Sequence, residues 1–105
     1  MEVYTLGLWR VTEGREQEFV EAWHALGKHF KSLPHPPGPG TLIQSIEDPR
    51  QFYSFGPWRS LEDVQEMRTH PDTPGALAQL SALCEEARPG TFRVVGRVEG
   101  QATDP

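Results

Sequence analysis

Histidine titrates near neutral pH, so His24 and His70 are the candidate general bases of this chain. His24 follows Trp23, about 100° further round a helix, at the edge of an apolar stripe. It is either a solvent-facing helix residue or, if it faces a cavity, a base. His70 precedes Pro71 at a break in a helical stretch. It is either a surface or capping residue, or one of the loop residues that a rigid scaffold positions for function. Tyr4 and Tyr53 lie in extended segments, where each either packs or hydrogen-bonds a substrate oxygen. Phe19, Trp23 and Trp58 read first as packing residues and second as the walls of an apolar, substrate-binding pocket. A buried indole N–H at Trp58 needs a partner. Trp9 is similar, and closer to a sheet interface.

Other chemistries lack their residues. His24 and His29 are five positions apart and do not share a helix face, and no Cys pair, HExxH or acidic calcium loop is present. We therefore expect no metal. The lone Cys84 permits no internal disulfide and, on an apolar stripe, reads as a buried, inert thiol. No G-x-S-x-G, phosphate-binding loop or G-x-G-x-x-G occurs, which removes the common hydrolase and nucleotide signals. The net charge of −5 argues against a nucleic-acid surface, which needs clustered Lys and Arg. Apolar runs are too short for a transmembrane span or a signal-peptide core, so no membrane partner is expected and the expected location is cytoplasmic.

The chain has 105 residues, enough for one domain, which we place at residues 1–99 with a polar tail at 100–105. Val3–Val11 is rich in β-branched and aromatic residues and reads as the first strand, apolar on both faces. Arg15–Lys31 carries Phe19, Trp23, Leu26 and Phe30 at i, i+4, i+7 and i+11, one helical stripe. Its acidic start and basic end suit the helix dipole. Leu33–Gly40 (LPHPPGPG) is a loop, because its prolines remove donors and fix φ. Thr41–Glu47 and Gln51–Trp58 read as a hairpin around Asp48-Pro49-Arg50. In the second strand Phe52, Ser54, Gly56 and Trp58 share one face, Tyr53 and Phe55 the other.

Ser60 to Asp63 resembles a capping box with Asp63 reaching back, and Leu61, Val64 and Met67 continue a helix. Thr73-Pro74 restarts it as N-cap and first helical residue, with Leu77, Leu80, Leu83 and Cys84 as its stripe and Pro89-Gly90 as its stop. Thr91–Glu99 reads as the last strand. The order is β-α-β-β-α-β, a ferredoxin-like α+β fold. Two helices can cover only one face of such a four-stranded sheet. The second apolar face predicts a homodimer formed through the sheet face.

In four features the chain resembles the antibiotic biosynthesis monooxygenase family of dimeric α+β barrel proteins. They are the turn and acidic helix EGREQEFVEAW around Gly14 and Phe19, the hairpin at Asp48-Pro49, the aromatic strand running into Trp58-Arg59-Ser60, and the Thr73-Pro74 restart before a Leu-rich turn. The resemblance spans about Val3 to Val98. It implies a homodimer with a pocket between helices and sheet in each subunit. It further implies oxygenation of an aromatic or quinol-like substrate with no metal, flavin or haem, hence no cofactor. On that reading His24 or His70 is the base, Tyr53 or Tyr4 a donor, and Phe19, Trp23 and Trp58 bind the substrate. The family's haem-degrading branch uses an Asn, a Trp and a His where this chain has Gly7, Met67 and Leu77, so haem oxygenation is not expected. The rival reading is a non-catalytic barrel that binds a small apolar ligand or serves as a stress-related module.

Overall fold

The computed structural model describes residues 2–101. The strands are β1 (Val3–Val11), β2 (Thr41–Gln44), β3 (Gln51–Trp58) and β4 (Cys84–Arg93), and the helices α1 (Glu16–Lys31), α2 (Leu61–Thr69) and α3 (Thr73–Ser81). The strands form one antiparallel sheet in the order β2-β3-β1-β4, the ferredoxin-like arrangement. The helices cover one face. Val3, Trp9 and Val11 of β1 and Phe52 and Trp58 of β3 are buried beneath them.

Two clusters make the core. Trp9, Val11, Phe19, Leu26, Phe52 and Leu80 form the first, and Val3, Leu33, Trp58, Val64 and Met67 the second. Phe30 packs against both. In the first cluster the Phe19 ring lies 5.8 Å from Trp9 and 5.0 Å from Phe52, tilted to each, an arrangement favoured by aromatic quadrupoles.

Local chemistry sets the connections. Gly14 takes a φ of 85° in the turn before α1, a conformation that glycine adopts without strain. At the β2–β3 turn the Asp48 carboxylate accepts from the Arg50 backbone N–H at 3.2 Å and from Arg10 Nη1 at 2.7 Å. The Arg10 hydrogen bond, followed by that from Arg50, lowers the Asp48 pKa. Arg50 donates from Nε to the Val11 carbonyl at 2.9 Å and pairs with Glu85 at 2.5 Å. It thus ties β3 to the place where the β1–β4 register shifts, between Arg10 and Val11.

Four details differ from the sequence reading. β2 ends at Gln44, because Ser45 already closes the turn through its hydroxyl to the Asp48 N–H at 3.0 Å. At α2, Ser60 caps the Asp63 N–H as expected, but the Asp63 side chain does not reach back. It pairs with Arg59 at 2.9 Å. The cap of α3 is Asp72, which puts Thr73 inside the first turn, where its hydroxyl meets His29 Nε2 at 2.8 Å. The largest correction is β4. The helix ends at Ser81, so Cys84 starts a strand, and Pro89-Gly90 lies within that strand rather than stopping a helix. Proline is tolerated there because β4 is a sheet edge. Val94–Gly100 has no regular structure, although the Val94 N–H still donates to the Glu2 carbonyl at 3.0 Å. Of the tail expected at 100–105, Gly100 and Gln101 are exposed and irregular, and the rest lies outside the described residues.

The outer face of the sheet carries Tyr4, Leu6 and Leu8 of β1, Phe55 of β3, and the more exposed Ile43, Tyr53 and Phe92. Among the described residues no helix covers it.

Candidate functional site

The inner face of the sheet is graded by residue size. Val3 faces Trp58 across the β1–β3 ladder, and Trp9 faces Phe52. Between these large pairs lie two small ones, Thr5 with Gly56 and Gly7 with Ser54. The helices rest on the large pairs and bridge the small ones, so a cavity of about 1030 Å³ remains over them. Trp9 and Leu26 of the first core cluster and Trp58 and Met67 of the second all line it, so the cavity lies between the two.

The roof is α1, through Trp23, Gly27 and Phe30. Leu77 of α3 and Pro89 of β4 complete the side away from β2. The remaining wall is the proline loop from Pro37 to Gly40. It is anchored by the Gly38 N–H donating to the Pro57 carbonyl at 2.9 Å. Gly56 permits this approach, because a Cβ there would stand 3.2 Å from the Pro39 carbonyl oxygen and from the Gly40 Cα.

All three tryptophans of the chain face this space. The Trp58 indole N–H donates to Thr5 Oγ1 and that of Trp9 to Ser54 Oγ, each at 2.9 Å. The two hydroxyls thus satisfy buried donors that would otherwise be costly. Trp58 is further held edge-on by Phe30 at 5.4 Å. His24 also lines the cavity, exposed at its mouth, with its ring edge-on to Trp23 at 5.4 Å.

Of the residues singled out by sequence, the structure brings together Trp9, Trp23, His24 and Trp58. It does not bring the others there. Phe19 is fully buried in the first core cluster beneath α1 and does not line the cavity. Tyr4 and Tyr53 belong to the opposite face of the sheet, because residues of odd and even number alternate along each strand. His70 sits at the α2–α3 junction, where it stacks edge-on with His29 at 5.2 Å and accepts from the Asp72 N–H at 3.1 Å. That is a turn-closing role. The sequence reading missed Thr5, Ser54, Gly27, the proline-loop wall and the basic residues Lys28, Lys31 and Arg68. The i, i+4, i+7 spacing of His24, Lys28 and Lys31 was the available signal for the last group.

Among the described residues no group of three or more His, Cys, Asp or Glu could hold a metal ion, and no helix is long and apolar enough to cross a membrane. Cys84 is half-buried, and burial pushes its thiol up to about 11.

No family profile and no curated protein matches this sequence. Solved structures do match. SnoaB, a cofactor-independent oxygenase from Streptomyces nogalater, superposes with a TM-score of 0.82 at 17% identity, over 94% of this chain and 98% of that one. A protein assigned as an antibiotic biosynthesis monooxygenase from Bordetella bronchiseptica gives 0.76 at 17%, over 90% and 97%. Rv0793 from Mycobacterium tuberculosis gives 0.75 at 13%, over 94% and 100%. The chain is therefore an α+β protein of the ferredoxin-like class. More narrowly, it has the fold of proteins named antibiotic biosynthesis monooxygenases.

Proposed function

We propose that this chain is a cytoplasmic antibiotic biosynthesis monooxygenase-like homodimer that oxygenates a small aromatic or quinol-like substrate without metal, flavin or haem. The observation that carries the reading is a cavity walled by three tryptophans and Phe30, with His24 at its mouth. Flat aromatic walls suit a planar apolar substrate, with few polar groups to fix its orientation. His24 would take a proton from the substrate, and the resulting electron-rich anion would react with oxygen while the indoles hold it, the substrate supplying all four electrons as one oxygen atom enters the product and the other leaves as water. The homodimer is supported by the uncovered apolar outer face of the sheet.

A second reading has its own support. His24 is exposed, and among the described residues it has no hydrogen-bond partner to orient it. A non-catalytic barrel that binds an apolar ligand in the same cavity, or serves as a stress-related module, needs no oriented base.

Oxygen uptake with a naphthohydroquinone separates the two. The enzyme reading expects uptake above the rate without protein, lost in His24→Ala with the melting temperature unchanged. Uptake equal to the protein-free rate, or undiminished in His24→Ala, removes the catalytic assignment and leaves ligand binding.

A further inference from the structure

We infer that the ligand of this cavity is an organic anion, an apolar aromatic body carrying a carboxylate or similar acidic group held at the mouth by Lys28, Lys31 and Arg68. The inference rests on the reading of the cavity as a ligand site. The chain is acidic, with 15 Asp and Glu against 10 Lys and Arg. The cavity inverts that balance, because its lining contains Lys28, Lys31 and Arg68 and no carboxylate.

The helix geometry explains the grouping. His24, Lys28 and Lys31 lie at i, i+4 and i+7 and form one stripe of α1, beside the Trp23, Gly27 and Phe30 stripe that roofs the cavity. The acidic residues of α1 are confined to its N-terminal half, at Glu16, Glu18 and Glu21. Across the mouth, Arg68 of α2 donates to the Thr91 hydroxyl of β4, a neutral partner. Among the described residues neither lysine nor Arg68 has an ion pair. None of the three α2 carboxylates, Glu62, Asp63 and Glu66, lines the cavity; Asp63 pairs with Arg59 at 2.9 Å and Glu66 is hydrogen-bonded to His35 Nδ1 at 3.1 Å. The rim is thus a set of uncompensated cations at the edge of an apolar chamber. An anion there keeps partial hydration while its ring system is buried.

All three tryptophans line the cavity, so intrinsic fluorescence reports its occupancy directly. The probes are 9-anthracenecarboxylic acid and its methyl ester, which share a ring system and differ in charge at pH 7.5. We expect the acid to quench with a dissociation constant about tenfold below that of the ester in low salt, a gap that narrows toward threefold or less at 0.5 M NaCl as screening grows. The Lys28→Met, Lys31→Met double variant keeps the aliphatic stems and should lose most of the preference while binding the ester unchanged. Equal affinity for acid and ester, or an undiminished preference in the double variant, overturns the anion assignment while leaving the cavity as a ligand site. Quenching by neither probe overturns both.

Discussion

The Trp9 indole lies over Gly7 so closely that a Cβ at position 7 would stand 2.5 Å from its Cζ2 and Nε1 atoms. Trp9 is buried against Phe19 and donates to Ser54, so moving the ring away from position 7 disrupts both contacts. Gly7→Ala should therefore cost about 1–3 kcal/mol, the range for overpacking a filled core. Urea unfolding measures it. A variant within 0.5 kcal/mol of the parent, roughly the range for a neutral surface change, would mean that the indole moves freely.

Gly27 presents the reverse case. It lies inside α1, lines the cavity, and a Cβ there meets nothing within 4 Å. Gly27→Ala should stabilise the protein by about 1 kcal/mol, the helix-propensity difference. Gly27→Leu should extend into the cavity and weaken binding of an aromatic probe at least tenfold, with no loss of melting temperature. Thermal melts and tryptophan quenching on the same samples check both halves. Probe binding as tight as in the parent would place the ligand elsewhere.

Trp58 joins the second core cluster to the cavity wall, at 4% exposure. Trp58→Ala should cost about 3–5 kcal/mol, as for other large aromatic truncations. Trp58→Phe keeps most of the volume but loses the bond to Thr5 Oγ1, and should cost about 1 kcal/mol beyond any change in packing. Pairing it with Thr5→Val in a double-mutant cycle isolates that bond.

Cys84 gives a pH prediction. Burial holds its thiol at about 11 in the folded chain, against 9.0 for a free thiol. The unfolded state therefore loses its proton first as pH rises. The stability linked to this group is complete below pH 9 and declines from there toward pH 11. Cys84→Ala should flatten the fall of the melting temperature across that window, relative to the parent. At pH 8 the native thiol should react with Ellman's reagent far more slowly than the unfolded one. Equal rates would place the thiol in open solvent.

The outer sheet face bears on assembly. Tyr53 is 38% exposed and Phe92 52% exposed on a face that no helix covers among the described residues. Sedimentation equilibrium at micromolar concentration should give about twice 11.8 kDa. Tyr53→Arg should shift the equilibrium to the monomer, because a dimer through this face would bury an unpaired charge. A monomeric parent would remove the barrel.

Local signals in the sequence were enough for the element order. The Phe19, Trp23, Leu26 and Phe30 spacing marks α1, the proline run ends it, and Ser60 caps α2, because each depends on neighbours within a few positions. The same local logic failed at Pro89-Gly90. There, helix-stopping residues sit inside an edge strand, and only pairing with β1 decides that. The strand faces could be read as two alternating sets, and Tyr4 and Tyr53 fell together on one of them. Which set the helices would cover depended on packing across the whole sheet. The cavity was beyond local reading for the same reason. Its floor exists because Thr5 meets Gly56 and Gly7 meets Ser54, pairs set by the β1–β3 register between residues far apart in the chain. Its cationic rim exists because α1 carries Lys28 and Lys31 to the mouth while Arg68 arrives from α2. Residue types and periodicity are properties of a segment, whereas a void and the charges around it are properties of the elements that surround it.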